Sequence, residues 1–121
     1  MSASWIKTDP LSALDGGLSL RPKGHIRART SAEFREYVDE LLDGDEGIRW
    51  LIVDFDDVLS IDSSTAGYLL NLHDTMNSRG GALALASLTP TVRVVIDSIG
   101  LMTFFMVAES VEEAVEEFRY R

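Results

Sequence analysis

The run Trp50-Leu51-Ile52-Val53 limits the fold of this chain most strongly: it is apolar without polar alternation and ends abruptly in Asp54-Phe55-Asp56-Asp57. A strand with one wet face would alternate apolar and polar side chains. An unbroken run therefore predicts a strand covered on both faces, as in parallel sheets flanked by helices. Ala82 to Ala86 alternates small and large apolar residues, and its length favours a second buried strand over a buried helix. Phe104 to Val107 predicts one more short strand.

Around these runs the apolar period changes to that of a helix. Phe34, Val38, Leu41 and Leu42 recur at i, i+4, i+7 and i+8 after Ser31, with Thr30 and Glu33 placed for a capping box and Gly44 placed to end the helix near Asp43. Val58 to Ile61 leads through Asp62-Ser63-Ser64 into a second helix, whose inner face reads Ala66, Leu69, Leu70, His73 and Met76 and which Gly80-Gly81 stops. Thr89-Pro90 starts a third, with Val92, Val95, Ile96 and Ile99 spaced i, i+3, i+4, i+7 up to Gly100. Ser110 and Glu113 form a capping box before Val111, Ala114, Val115 and Phe118, a fourth helix. Strands separated by single helices imply right-handed parallel crossovers, so the second half reads β-α-β-α-β-α around a buried sheet. Ahead of it, Ser4 to Thr8 and Leu18 to Arg21 are candidate strands, and Gly24 to Arg27 is placed to continue the second.

Several chemistries are disfavoured. Twenty acidic residues against eleven basic ones give a net charge of −9, which repels a phosphate backbone unless basic residues cluster, so direct nucleic-acid binding is not expected. Without cysteine, neither a disulfide framework nor a thiolate metal site can be built, and an intracellular protein is expected. His25 and His73 have no partner at ligand spacing, so no metal and no cofactor is expected. Gly80-Gly81 lacks the lysine of a phosphate-binding loop, and neither Ser63 nor Ser64 lies in a Gly-x-Ser-x-Gly elbow. The first residues show no basic region followed by an apolar stretch, and no run approaches the roughly 18 apolar residues of a membrane span. Glu109, Glu112, Glu113, Glu116 and Glu117 make the last helix acidic, the pattern of a solvated face. Met102, Phe104, Phe105 and Met106 read mainly as core; any pair exposed beside the turn at 62–64 would supply the apolar centre of a partner interface.

That turn is the most informative local feature. A helix start leaves backbone N–H groups without partners, and Asp62 or Ser63 can cap it for about 1 kcal/mol. A phosphoryl group on a hydroxyl in the first turn would add roughly −1.5 to −2 charges there. Asp62, together with Asp54, Asp56 or Asp57 if the strand ends converge, would repel such a group and any acidic partner. Spacing alone leaves a plain cap and a charge-controlled docking switch both open.

The stretch Leu51 to Val58, then Ile61-Asp62-Ser63-Ser64, Gly67, Leu69-Leu70, Arg79-Gly80-Gly81, Leu83, Leu85, Val92, Val95, Gly100-Leu101 and Phe105, resembles the STAS domain, specifically bacterial anti-sigma factor antagonists. The match is strongest over 50–118, with Ser110 to Phe118 as the family's final helix. The resemblance and the patterning together imply an α/β fold: a single STAS-like domain over 1–121, with a mixed, mostly parallel sheet of four to five strands and about four helices packed against it. The resemblance further implies a cytoplasmic, non-enzymatic regulator. Unphosphorylated, such an antagonist binds an anti-sigma factor that is also its Ser/Thr kinase; phosphorylation reverses the binding. A homodimer is compatible with it. The family's phosphoacceptor falls on Ser64, with Ser63 or Thr65 as second choices, and its turn aspartate on Asp62. Asp62, Ser63, Ser64, Thr65 and Arg27 are thus the expected partner-binding residues. Two positions depart from the pattern. Ser64-Thr65-Ala66-Gly67 replaces the usual Ser-Gly-Leu-Gly, adding the Thr65 hydroxyl and a β-branched backbone beside the acceptor. Arg27 stands where the family often has aspartate, a positive charge able to steady a phosphate or alter partner choice. The competing expectation is a STAS scaffold or accessory subunit, of a stress-sensing or lipid-transport complex, whose turn binds without being phosphorylated.

Overall fold

Both buried runs lie at the centre of the sheet. In the computed structural model, which describes residues 3–121, β1 (Ile6–Pro10), β2 (Gly17–Pro22), β4 (Trp50–Asp54), β6 (Ala82–Ala86) and β7 (Met106–Ala108) form one five-stranded sheet in the order β1-β2-β4-β6-β7. β1 pairs antiparallel with β2, and the other three pairs are parallel, with Leu51 opposite Leu83 and Val53 opposite Leu85. Between these strands come β3 (Gly24–Ile26), α1 (Arg29–Gly44), β5 (Val58–Ile61), α2 (Ser63–Ser78), α3 (Pro90–Ser98) and a 3-10 turn at Met102–Phe104, and α4 (Val111–Arg119) follows the last of them.

The alternation in β4 and β6 sorts the helices between the two faces. Leu51, Val53, Leu83 and Leu85 point into a core with Phe34 and Val38 of α1, Leu69 and Met76 of α2, and Val92 and Ile96 of α3. Ile52, Ala82, Ala84 and Ala86 point the other way, onto Ala114 and Phe118 of α4. Small side chains on this second face let a single short helix lie close to the sheet, and Phe118 stacks at 5.1 Å on the Trp50 ring. Each fully buried Leu, Ile, Val or Phe side chain removes enough apolar surface to favour folding by about 1.5–3 kcal/mol.

The predicted helix ends hold for three helices. Asp62 caps α2, Thr89 caps α3 with Pro90 in the first turn, and Ser110 caps α4 by accepting the Glu113 N–H at 3.0 Å. The stop of α2 is a Schellman motif: Gly80, at φ 82°, donates to the Asn77 carbonyl, and Gly81 donates to that of Met76. A Cβ on Gly81 would collide with the Arg49 carbonyl, so this turn can sit against the chain entering β4 only without a side chain. From the same end of α2, the Arg79 guanidinium donates to the carbonyls of Leu42, Asp45 and Ile48, closing the open C-terminal end of α1.

Four expectations need correction. The Thr30–Glu33 capping box does not form, because α1 begins earlier, with Ala28 as its N-cap. Thr30 Oγ1 instead accepts the Arg27 N–H and lies 2.8 Å from the His25 carbonyl. Gly24–Ile26 does not continue β2; it pairs in parallel with β5 as a separate two-stranded ribbon. The strand entering the turn at 62–64 is consequently half-exposed, with Val58 and Ile61 buried but Leu59 at the surface. Along α2 the buried face is Thr65, Ala66, Tyr68, Leu69, Leu72 and Met76, so Leu70 and His73 lie at its margin. The last strand starts at Met106, since Phe104 belongs to the 3-10 turn.

Candidate functional site

Ribbon β3–β5 brings together two helix starts. Ile26 ends β3 and Ile61 ends β5; beyond them the Asp62 N–H donates to the Ile26 carbonyl at 3.1 Å, fixing the two chain segments side by side. Ala28 begins α1 and Asp62 begins α2. The Asp62 carboxylate serves both: Oδ1 accepts the Thr65 N–H at 2.8 Å, and Oδ2 accepts the Ala28 N–H at 3.0 Å. Ala28 pays for this with φ 52° and ψ −113°, a backbone conformation that L residues rarely adopt.

Thr65 is part of the same anchor. Its hydroxyl lies 2.8 Å from both Asp62 Oδ1 and Ser31 Oγ, and its side chain is 1% exposed. In this conformation Thr65 is therefore withdrawn from the surface and does not compete with its neighbours as an accessible hydroxyl. The chain's departure from glycine here has a structural use: the added hydroxyl ties α2 to Ser31 of α1. Burial alone would raise the Asp62 pKa, but the N–H groups of Thr65 and Ala28 and the hydroxyls of Thr65 and Ser31 outweigh it, holding the carboxyl below its ordinary value.

Ser63 and Ser64, by contrast, are exposed in the first turn of α2. They differ in one respect. Arg35 Nη1, from α1, donates to Ser64 Oγ at 2.7 Å, which holds this hydroxyl in one orientation. One turn further along, Tyr68 donates to Asp39 Oδ1 at 2.6 Å. Ser64 and Tyr68 are four residues apart on α2, as are Arg35 and Asp39 on α1, so these two bonds join the helices at matching steps, beyond the Thr65–Ser31 contact. Burial, then the Asp39 hydrogen bond, raises the Tyr68 pKa, so the phenol remains a donor at neutral pH.

Arg27 lies between Ile26 and Ala28, the two residues bonded to Asp62, and its side chain is exposed. Lys23, Arg27, Arg29 and Arg35 are four of the chain's eleven basic residues, gathered within 23–35 although the net charge is −9. Asp54, Asp56 and Asp57 do not join the turn. Arg21 gathers them, at 4.0, 3.0 and 2.9 Å respectively, so the acidic group expected to repel a phosphate is bound up with a cation of β2. Of the apolar residues after α3, Phe105 is buried, Met102 and Met106 are half-buried, and Phe104 is exposed.

Arg35 and Ser31 were not singled out by sequence patterning. Arg35 reads there as one of the charges between buried Phe34 and Val38, and its bond to Ser64 spans 29 positions that no local pattern connects. The one available signal was that Arg35 and Asp39 share the i, i+4 step of Ser64 and Tyr68. Among the described residues, no group of three or more His, Cys, Asp or Glu could hold a metal, and no helix is long and apolar enough to cross a membrane. A surface groove of about 590 Å³ beside Ser87, Arg93, Glu109 and Glu113 shares no residue with the turn.

A mixed sheet with an exposed, clamped serine turn at the start of its second main helix defines a small α/β domain that presents two serine hydroxyls at its surface. Residues 11–114 match the model of the STAS domain, and the chain belongs to that family. A candidate anti-sigma factor antagonist of Thermotoga maritima is 29% identical over 111 residues, covering 91% of this chain and 96% of that one. The crystal structure of a candidate antagonist from the same organism superposes with a TM-score of 0.83 at 26% identity, over 96% of both chains. SpoIIAA, an anti-sigma factor antagonist, shares the fold at 21% identity, with TM-scores of 0.79 in its unphosphorylated form, over 96% of this chain and 97% of that one, and 0.70 in its phosphorylated form, over 96% and 99%.

Proposed function

We propose that this chain, acting as one STAS domain, is an anti-sigma factor antagonist that binds a kinase-type anti-sigma factor while Ser64 is unmodified and lets go when Ser64 is phosphorylated. The observation that carries the reading is the state of Ser64: it is exposed in the first turn of α2 and oriented by Arg35, while Thr65 is buried and Ser63 makes no such bond among the described residues. Support comes from the Thermotoga maritima relative, which aligns almost end to end. The fold itself accommodates the modification, since phosphorylated SpoIIAA keeps it.

In the transfer, Ser64 Oγ attacks the γ-phosphorus of ATP. The Oγ–P bond forms as the bond to the bridging oxygen breaks, ADP leaves, and the hydroxyl proton passes to a base of the kinase or to water. Asp62 positions the turn by accepting the N–H groups of Thr65 and Ala28. Before modification the partner meets two small exposed hydroxyls, one of them bonded to Arg35. Afterwards it meets a dianion, which an acidic docking surface repels.

Incubation with the cognate kinase and ATP, followed by peptide mass spectrometry, tests the reading. Phosphate on Ser64, absent from Ser64→Ala, is the expected result; a chain left unmodified while the kinase accepts another substrate contradicts it.

A further inference from the structure

We infer that Arg35 is the intramolecular receptor for a phosphoryl group on Ser64, and the residue that distinguishes Ser64 from Ser63. The inference rests on the reading of Ser64 as the acceptor. Its basis is the 2.7 Å bond from Arg35 Nη1 to Ser64 Oγ. A phosphorus attached to that oxygen carries its three remaining oxygens into the reach of the same guanidinium, whose other N–H groups make no side-chain bond among the described residues. A planar guanidinium donates to two phosphate oxygens at once, a geometry an ammonium group cannot reproduce.

The charges around the position favour this pairing over any other. Asp62, which would repel a phosphate, already accepts two backbone N–H groups and lies beside the Thr65 hydroxyl. Asp39, one turn along α1, is held by Tyr68. Both carboxylates thus have their own donors, and Arg35 is left to the Ser64 oxygen alone. Arg27 and Arg29 flank Ala28 in the chain, yet among the described residues neither bonds to either serine. Among the described residues no basic side chain bonds to the Ser63 hydroxyl, so a phosphate there would lack this receptor.

In consequence, phosphorylation replaces a hydrogen bond from a guanidinium to a neutral hydroxyl, between α1 and α2, by an ion pair. The modified turn is drawn toward α1, and the cation that an acidic partner could have used is consumed. The switch then acts twice, by adding negative charge and by removing an accessible positive one.

Phosphoserine placed at position 64 during translation, without a kinase, gives a direct test. A 31P titration of the native chain should show a second phosphate pKa lower than in Arg35→Gln by about half a unit or more, with Arg35→Lys between them. Equal values in the native chain and Arg35→Gln overturn the inference. Should Arg35→Gln fold poorly, the Arg35 side-chain Nε–H resonance of the native chain replaces it. A shift and slower exchange on introducing the phosphate are expected, and an unchanged resonance overturns the inference. Because no kinase is involved, failure of Ser64 to be phosphorylated by its cognate kinase is a separate outcome that contradicts the proposed function, not the phosphate–Arg35 pairing.

Discussion

Asp62 Oδ2 accepts the backbone N–H of Ala28 at 3.0 Å, so one carboxylate holds the first residues of α1 and α2 together. The serine turn is therefore a clamped structure before any partner arrives. Replacing Asp62 by Ala leaves the Thr65 and Ala28 N–H groups without their acceptor and should cost about 2–3 kcal/mol in urea unfolding. Asp62→Asn should cost less, about 1 kcal/mol, because the amide oxygen retains one bond while its NH2 faces a donor at the other. Equal stability of native and Asp62→Ala chains would contradict the clamp.

Ala28 supplies the complementary prediction. At φ 52° and ψ −113° it occupies backbone space in which a Cβ is unfavourable, at a cost of about 1–3 kcal/mol, and glycine removes that strain. Glycine also makes the unfolded chain more flexible, which offsets about 0.5–1 kcal/mol of the gain. Ala28→Gly should thus raise stability by about 1 kcal/mol, read as a higher urea midpoint at unchanged slope; a lower midpoint contradicts it.

The acid response of the chain should carry the mark of Asp62. Its folded-state pKa lies below the ordinary 3.8, so the unfolded state binds the proton more readily. The resulting stability is fully present above the unfolded value and is lost as pH falls through the folded one. From about pH 4 downward the native chain should lose stability more steeply than Asp62→Asn, which cannot titrate there. Parallel curves of unfolding free energy against pH would exclude this role.

At the opposite end of the helix pair, Arg79 donates to three carbonyls, those of Leu42, Asp45 and Ile48. Arg79→Ala should destabilise the chain by about 2–3 kcal/mol, and Arg79→Lys should recover only part of it, because an ammonium group cannot span the three acceptors in one plane. Thermal unfolding monitored by circular dichroism gives the ranking; full recovery in the lysine variant would show that charge alone suffices.

Much of this arrangement is legible in the amino-acid order, and the limits are physical. Trp50 to Val53 and Ala82 to Ala86 can be recognised because burial on both faces removes polar alternation, and the caps at Asp62, Thr89 and Ser110 because each is a short-range bond. Sheet membership of Gly24–Ile26 is not so encoded: a three-residue strand pairs equally well with β2 or β5 until the tertiary fold chooses. The start of α1 was hidden because its N-cap is an alanine at positive φ, supported by a carboxylate 34 positions away. Ser64 and Asp62 could be named from the resemblance. Arg35 could not, since only the packing of α1 beside α2 gives it a partner.

Affinity of the unmodified and Ser64-phosphorylated chains for the cognate anti-sigma factor, measured side by side by titration calorimetry, tests the central claim most directly. The phosphate should weaken binding by about 100-fold or more, as expected when a dianion meets a surface selected for a neutral hydroxyl. Equal affinities for the two forms would contradict a switch at Ser64.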